Sequence, residues 1–299
     1  MTVTLRGVFA PVVTTFSSEN GELDVASFEA NVAAHLAAGL QGIVVTGSTG
    51  EAALLDANER AVLVEATRRV TPRDKAVIVG TGAESTRTCL VQTREAARRG
   101  ADAVLVVAPH YYGPAMTTLA LRAHYLRVAD ESPVPVILYN IPKYMHFALE
   151  ASLVAELAQH ENVIGIKDSS GNRELFAGYM PAQSPRFAVL TGNAQMFHHA
   201  MATGATGGIL AGALFAPAIA LDIFESVRRG DDPAATAAQA RFTPMGAKIV
   251  AELGVAGVKA AMDRVGLTGG PVRSPLLPLD DAQRDVVNGV LESAELAAA

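Results

Sequence analysis

Lys167 closes the run Val163-Ile164-Gly165-Ile166-Lys167 and is one of only five lysines among 299 residues. An ammonium at the end of a short apolar strand is physically expensive, because desolvation disfavours the charged form. A lysine that gives up its proton there is a nucleophile able to condense with a ketone as a Schiff base. The structural alternative is a packed stem whose head reaches solvent or an acid such as Asp168. Tyr139 ends another apolar run, and beside a Schiff-base lysine its hydroxyl is a candidate proton carrier. The loop Gly47-Ser48-Thr49-Gly50-Glu51 offers backbone N–H groups and two hydroxyls, which suits a small carboxylate, but it lacks the lysine of a phosphate-binding P-loop. Gly80-Thr81-Gly82 has Ser85 where a dinucleotide fingerprint needs its third glycine, so it reads as a strand-to-helix turn.

The elements that must hold these residues can be read from the apolar pattern. Short, continuously apolar runs occur at Val8–Val13, Ile43–Thr46, Ala76–Gly80, Val104–Ala108, Val136–Tyr139, Val163–Lys167, Ala188–Thr191 and Gly208–Leu210. Runs that do not alternate suit strands covered on both faces. Between them lie helix starts: Asp24 ahead of Val25, Phe28, Val32 and Leu36, Asp56 with Glu59 as a capping box, and Ser85. Helices end at Gly39, Gly100 and Gly204, each followed by two residues, a small residue and an apolar run, which reads as a recurring αβ junction. Eight strands alternating with helices predict an α/β fold, an eight-stranded (β/α)8 TIM barrel over residues 1–225, with a doubly wound sheet as the alternative. Residues 226–299 read as a C-terminal α-helical extension, with helices over Ala234–Leu253, Val255–Val265 and Asp280–Glu295.

In such a barrel the active site lies at the C-terminal strand ends. Polar residues collect there: Gly47–Glu51, Pro109-His110-Tyr111-Tyr112, Tyr139-Asn140, Lys167-Asp168-Ser169-Ser170-Gly171 and Thr191-Gly192-Asn193. The net charge of −6, without a dense Lys/Arg run, argues against nucleic acid or an anionic membrane as partner. Cys89 is the lone cysteine, fits a reducing cytoplasm, and reads as packing. Met1–Arg6 carries no charged segment followed by an apolar one, so no signal peptide is read there. Ala200–Leu221 is uncharged and long enough to span a bilayer, but its glycines and Pro217 favour a buried strand, a turn and a helix start. His198-His199 falls on the helix after the seventh strand, His146 reads as a specificity or packing residue, and no His/Asp/Glu set has metal-ligand spacing.

Taken together, Gly47-Ser48-Thr49-Gly50-Glu51, Tyr139-Asn140-Ile141-Pro142 and Gly165-Ile166-Lys167-Asp168-Ser169 resemble, in order and spacing, the dihydrodipicolinate synthase/N-acetylneuraminate lyase family. The resemblance extends from Gly7–Phe16 through Leu214-Phe215-Ala216-Pro217 to Gly257-Val258-Lys259-Ala260-Ala261 and Leu276-Leu277-Pro278-Leu279. It implies a pyruvate-dependent class I aldolase with Lys167 as the Schiff-base lysine and Tyr139 as the proton shuttle. Ser48 and Thr49, with Gly47 and Gly50, would hold the pyruvate carboxylate, and the Ser48 hydroxyl would join a proton relay. Tyr111 matches a relay tyrosine that reaches into a neighbour's site, which implies a homotetramer built as a dimer of dimers. No metal or organic cofactor is expected, because the protonated imine is itself the electron sink.

One departure bears on substrate. The synthases carry an arginine two residues beyond the proline of Tyr-Asn-x-Pro, where this chain has Tyr144. Lys143 is adjacent, but neighbouring side chains need not face one site, and an ammonium lacks the bidentate fork. The segment Lys167–Gly171 resembles sugar-acid members. The expected activity is therefore cleavage or condensation of a 2-oxo acid, a 2-keto-3-deoxy sugar acid, to pyruvate and an aldehyde. Asn193, Ile209 and Tyr144–Phe147 are candidate substrate-binding positions. The runners-up are condensation of pyruvate with aspartate semialdehyde and, in another class, a catalytically silent ligand-binding barrel.

Overall fold

The computed structural model describes residues 3–296, so Met1 and Thr2 of the N-terminal segment and the last three residues of the extension lie outside the description. Within these bounds the barrel repeat is β1 (Gly7–Pro11), α1 (Val25–Ala37), β2 (Gly42–Val45), α2 (Ala57–Val70), β3 (Ala76–Gly80), α3 (Thr86–Arg98) and β4 (Ala103–Val107). It continues with α4 (Thr118–Glu131), β5 (Val136–Asn140), the one-turn α5 (Pro142–Met145), α6 (Ala151–Leu157), β6 (Val163–Asp168) and α7 (Arg173–Tyr179). The last units are β7 (Ala188–Thr191), α8 (Phe197–Ala202), β8 (Gly207–Ile209) and α9 (Pro217–Arg229). All neighbouring strands pair in parallel and in chain order, and β8 closes on β1. The fold is therefore a (β/α)8 barrel, and the doubly wound alternative is excluded by the closure.

The local causes are those expected from the sequence. The carboxylate of Asp24 accepts from Ser27 N–H, Asp56 and Glu59 form a reciprocal capping box, and the Ser85 side chain accepts from Thr88 N–H. Each such cap contributes on the order of 1 kcal/mol. The junction residues Gly39, Gly100 and Gly204 have φ of +95°, +99° and +101°, a region that a side chain would make costly. Cys89 is fully buried on α3, and burial pushes its thiol up to about 12, so packing is its role. No helix among the described residues is long and apolar enough to cross a membrane.

Two features aim the site. On β5–β6 the register slips between Val136 and Ile137, so that Ile137 pairs with Gly165 and Tyr139 lies level with Lys167. Such a bulge re-aims the side chains beyond it. Next, the chain beyond the barrel departs from the expected single helix over Ala234–Leu253. It forms α10 (Asp232–Pro244) and then a π-helix, Met245–Glu252, followed by α11 (Gly254–Arg264) and α12 (Asp281–Ser293). Pro244 within the helical path lacks an N–H and its ring crowds the preceding turn, which loosens the regular bonding there.

Candidate active site

Lys167 and Tyr139 stand at the C-terminal ends of β6 and β5, and both are buried. The Lys167 Nζ lies 4.3 Å from the centroid of the Tyr139 ring. Lys167 owes its room to Gly192: a Cβ there would come within 2.7 Å of Lys167 Cε and 2.0 Å of Ser169 Oγ. Asp168, the acid that could have held the ammonium, belongs to another network. It accepts from Asn140 Nδ2 at 2.7 Å and from the Ser170 hydroxyl at 2.7 Å, while Asn140 Oδ1 accepts from Leu149 N–H. Burial raises the Asp168 carboxyl and these hydrogen bonds oppose it. The Asn140–Asp168 pair thus ties together the two strand ends that carry Tyr139 and Lys167.

A cavity of about 130 Å³ opens above these groups. Of the residues singled out in the sequence, Ser48, Thr49, Tyr139, Tyr144, Lys167, Asn193 and Ile209 line it. Gly47 and Gly50 shape the loop without lining the cavity: Gly50 N–H donates to the Gly47 carbonyl, and the Thr14 hydroxyl donates to the Gly50 carbonyl at 2.7 Å. Tyr111 does not join the cavity within one chain. It is 77% exposed, packs edge-on against Tyr112, and its N–H donates to Glu84. His146 caps α5 in the left-handed region, and neither it nor Phe147 lines the cavity.

Several lining residues escape the sequence reading. Gly246 and Val250 of the π-helix and Val255 and Val258 of α11 form a wall supplied by the C-terminal helices. Nothing local in the sequence marks them as cavity lining, Val258 within its motif included, since that role depends on a contact far along the chain. Lys143 also lines the mouth beside Tyr144, and its ammonium donates to the Ala251 carbonyl at 2.7 Å. Burial, reinforced by Tyr139, raises the Tyr144 phenol above its ordinary value.

A closed (β/α)8 barrel that buries a lysine beside a tyrosine at its strand ends has the layout of a lysine-imine, class I lyase. The dihydrodipicolinate synthetase family model matches residues 4–294, and the chain belongs to that family. It is 36% identical over 98% of its length to a 4-hydroxy-tetrahydrodipicolinate synthase of Xanthomonas axonopodis pv. citri, 95% of which is covered. A 4-hydroxy-tetrahydrodipicolinate synthase of Methanothrix thermoacetophila is 32% identical, with 96% of each chain covered. Among solved structures, the dihydrodipicolinate synthase from Acinetobacter baumannii complexed with pyruvate superposes with a TM-score of 0.93 at 30% identity, over 98% of this chain and 100% of that one. YagE, a prophage protein of the same family from E. coli K12 in complex with pyruvate, gives 0.92 at 27% identity, over 99% and 100%.

The protein is thus a pyruvate-dependent class I carbon–carbon lyase, of a family that works through a covalent lysine imine without a separate cofactor. Among the described residues no three His, Cys, Asp or Glu side chains gather as a metal site. Activity is expected to survive exhaustive chelation. Loss restored by a divalent ion would move the chemistry to the metal-dependent class.

Proposed function

We propose that the enzyme condenses pyruvate with aspartate semialdehyde, in the manner named for its relatives. The observation that carries this is their agreement: sequences 31% to 36% identical, over 93% or more of this chain, are named 4-hydroxy-tetrahydrodipicolinate synthase. This reverses the order reached from the sequence, which set a 2-keto-3-deoxy sugar acid first because of Tyr144. Lys143 supports the revision, because an ammonium at the cavity mouth can pair with a substrate carboxylate even without an arginine. The sugar-acid reading remains the second, favoured by one observation: no arginine is among the residues lining the cavity.

The steps follow from the groups present. The Lys167 amine attacks the pyruvate keto carbon, and loss of water leaves an iminium. Its positive nitrogen draws electrons from the methyl carbon, whose proton passes to the Tyr139 oxygen, itself deprotonated when it supplied the proton that carried off water, and an enamine is left. The enamine carbon attacks the aldehyde carbon, and the developing alkoxide takes its proton from the Tyr139 hydroxyl. Hydrolysis of the imine frees Lys167, and cleavage is the reverse path. Ser48 and Thr49 hold the pyruvate carboxylate at the Gly47–Gly50 loop, and Ser48 relays protons between Tyr139 and Tyr111 of a neighbouring subunit. The exposure of Tyr111 leaves its ring available to a neighbouring subunit.

The test is a set of kcat/KM values on one preparation. Semialdehyde condensation should reach the ordinary enzyme range, about 10⁴ M⁻¹s⁻¹ or more, and exceed pyruvate release from 2-keto-3-deoxy sugar acids. The opposite order would favour the second reading.

A further inference from the structure

Glu51 ends the loop that carries Ser48 and Thr49, yet its own side chain does not line the cavity and has 0% of its surface exposed. Its Oε1 lies 2.5 Å from the Lys259 Nζ of α11, itself 2% exposed, and its Oε2 accepts the Arg273 N–H at 2.8 Å. The Lys259 ammonium also donates to the Pro271 carbonyl at 2.7 Å and stands 4.7 Å from the centre of the Phe16 ring. Arg273 adds a fork to Glu59 at 2.6 and 2.7 Å. The C-terminal segment is thereby fastened to the far side of the loop.

A buried ion pair is a poor device for stability alone. Well-packed apolar residues in its place are often neutral or better, whereas losing one partner strands a charge. The backbone suggests what this pair does. Both residues flanking Gly47–Gly50 are non-glycine residues in the left-handed region, Thr46 at φ 52° and Glu51 at φ 56°. Such conformations are strained for residues with a side chain and persist only where the surroundings impose them. The Thr46 hydroxyl is held by the Gly80 carbonyl at 3.0 Å, and Glu51 is held by Lys259 and Arg273. The pair has an electrostatic consequence as well. An uncompensated Glu51 carboxylate behind this loop would repel the anion that the loop is to receive, and Lys259 neutralises it.

We propose that Lys259 is a positioning residue for pyruvate, fixing Glu51 so that the Ser48–Thr49 loop accepts the substrate carboxylate. The inference rests on the reading of Lys167 and the loop given above. It makes the C-terminal helices part of the pyruvate site through α11, whose Val258 also lines the cavity. Because Lys259 touches no reacting atom, it acts on binding.

Two variants test this: Lys259→Met, and Lys259→Met with Glu51→Gln, which strands no charge. Each should raise the KM for pyruvate about tenfold or more and leave kcat at saturating pyruvate within about threefold, the signature of lost uniform binding. Should the single variant fail to fold, the double variant carries the same expectation. A folded variant with the parent KM overturns the proposal, as does a loss confined to kcat. Failure of both variants to fold also overturns it, since the pair would then serve folding. Borohydride treatment of the unaltered enzyme with pyruvate separates the two levels, because absence of an adduct there contradicts the lysine assignment itself.

Discussion

Replacing Lys167 with methionine should abolish turnover, with a loss on the order of 10⁵–10⁶-fold, as when a covalent nucleophile is removed from a cooperating set. The barrel should survive the change. Methionine nearly keeps the length of the side chain that Gly192 and Ser169 make room for, and it removes a buried amine with no carboxylate partner, since Asp168 is engaged by Asn140 and Ser170. Steady-state assays and thermal unfolding of the variant check both halves. Residual activity within about a hundredfold of the parent, in a folded protein, would mean that another amine carries the chemistry.

Removing only the hydroxyl of Tyr139 separates capture from proton transfer. Tyr139→Phe leaves a ring beside the Lys167 amine, so packing and imine formation should persist. Condensation, however, creates an alkoxide that needs a proton, and general acid–base groups contribute about 10²–10⁴-fold, roughly 3–5 kcal/mol of barrier. The kcat should fall by that factor while borohydride still traps pyruvate. Ser48→Ala should give a smaller loss in the same direction, and the combined loss should be less than additive, because members of one relay act as a unit. Near-normal kcat in Tyr139→Phe, with fold and assembly intact, would assign the proton to another group.

Much of the barrel is legible because its strands are short, apolar throughout and bounded by glycines with obligatory backbone conformations. The runs read at Ala76–Gly80 and Ala188–Thr191 coincide with β3 and β7, and the rest shift by a residue or two at their ends. Lys167, Tyr139 and the Gly47–Glu51 loop are legible for a related reason, since a parallel barrel gathers polar strand ends at one mouth. The π-helix is not legible, because apolar spacing over Ala234–Leu253 fits a regular helix and only the consequence of Pro244 distinguishes the two. Whether Lys143 shares an opening with Tyr144 is left open by the sequence, because it depends on the path of α5, whose single turn brings both side chains to the cavity mouth. Lys259 sits in a recognisable motif, but its meaning depends on Glu51 more than 200 residues earlier, which no local pattern reveals.

The most direct measurement is peptide mapping after the unaltered enzyme has been incubated with pyruvate and borohydride. A single adduct is expected on the peptide containing Lys167, heavier by pyruvic acid less one oxygen, as reduction of an imine requires. It should be absent without pyruvate and absent from Lys167→Met. An adduct on Lys143, Lys259 or another amine, or no adduct from an enzyme that is turning over, would contradict the account.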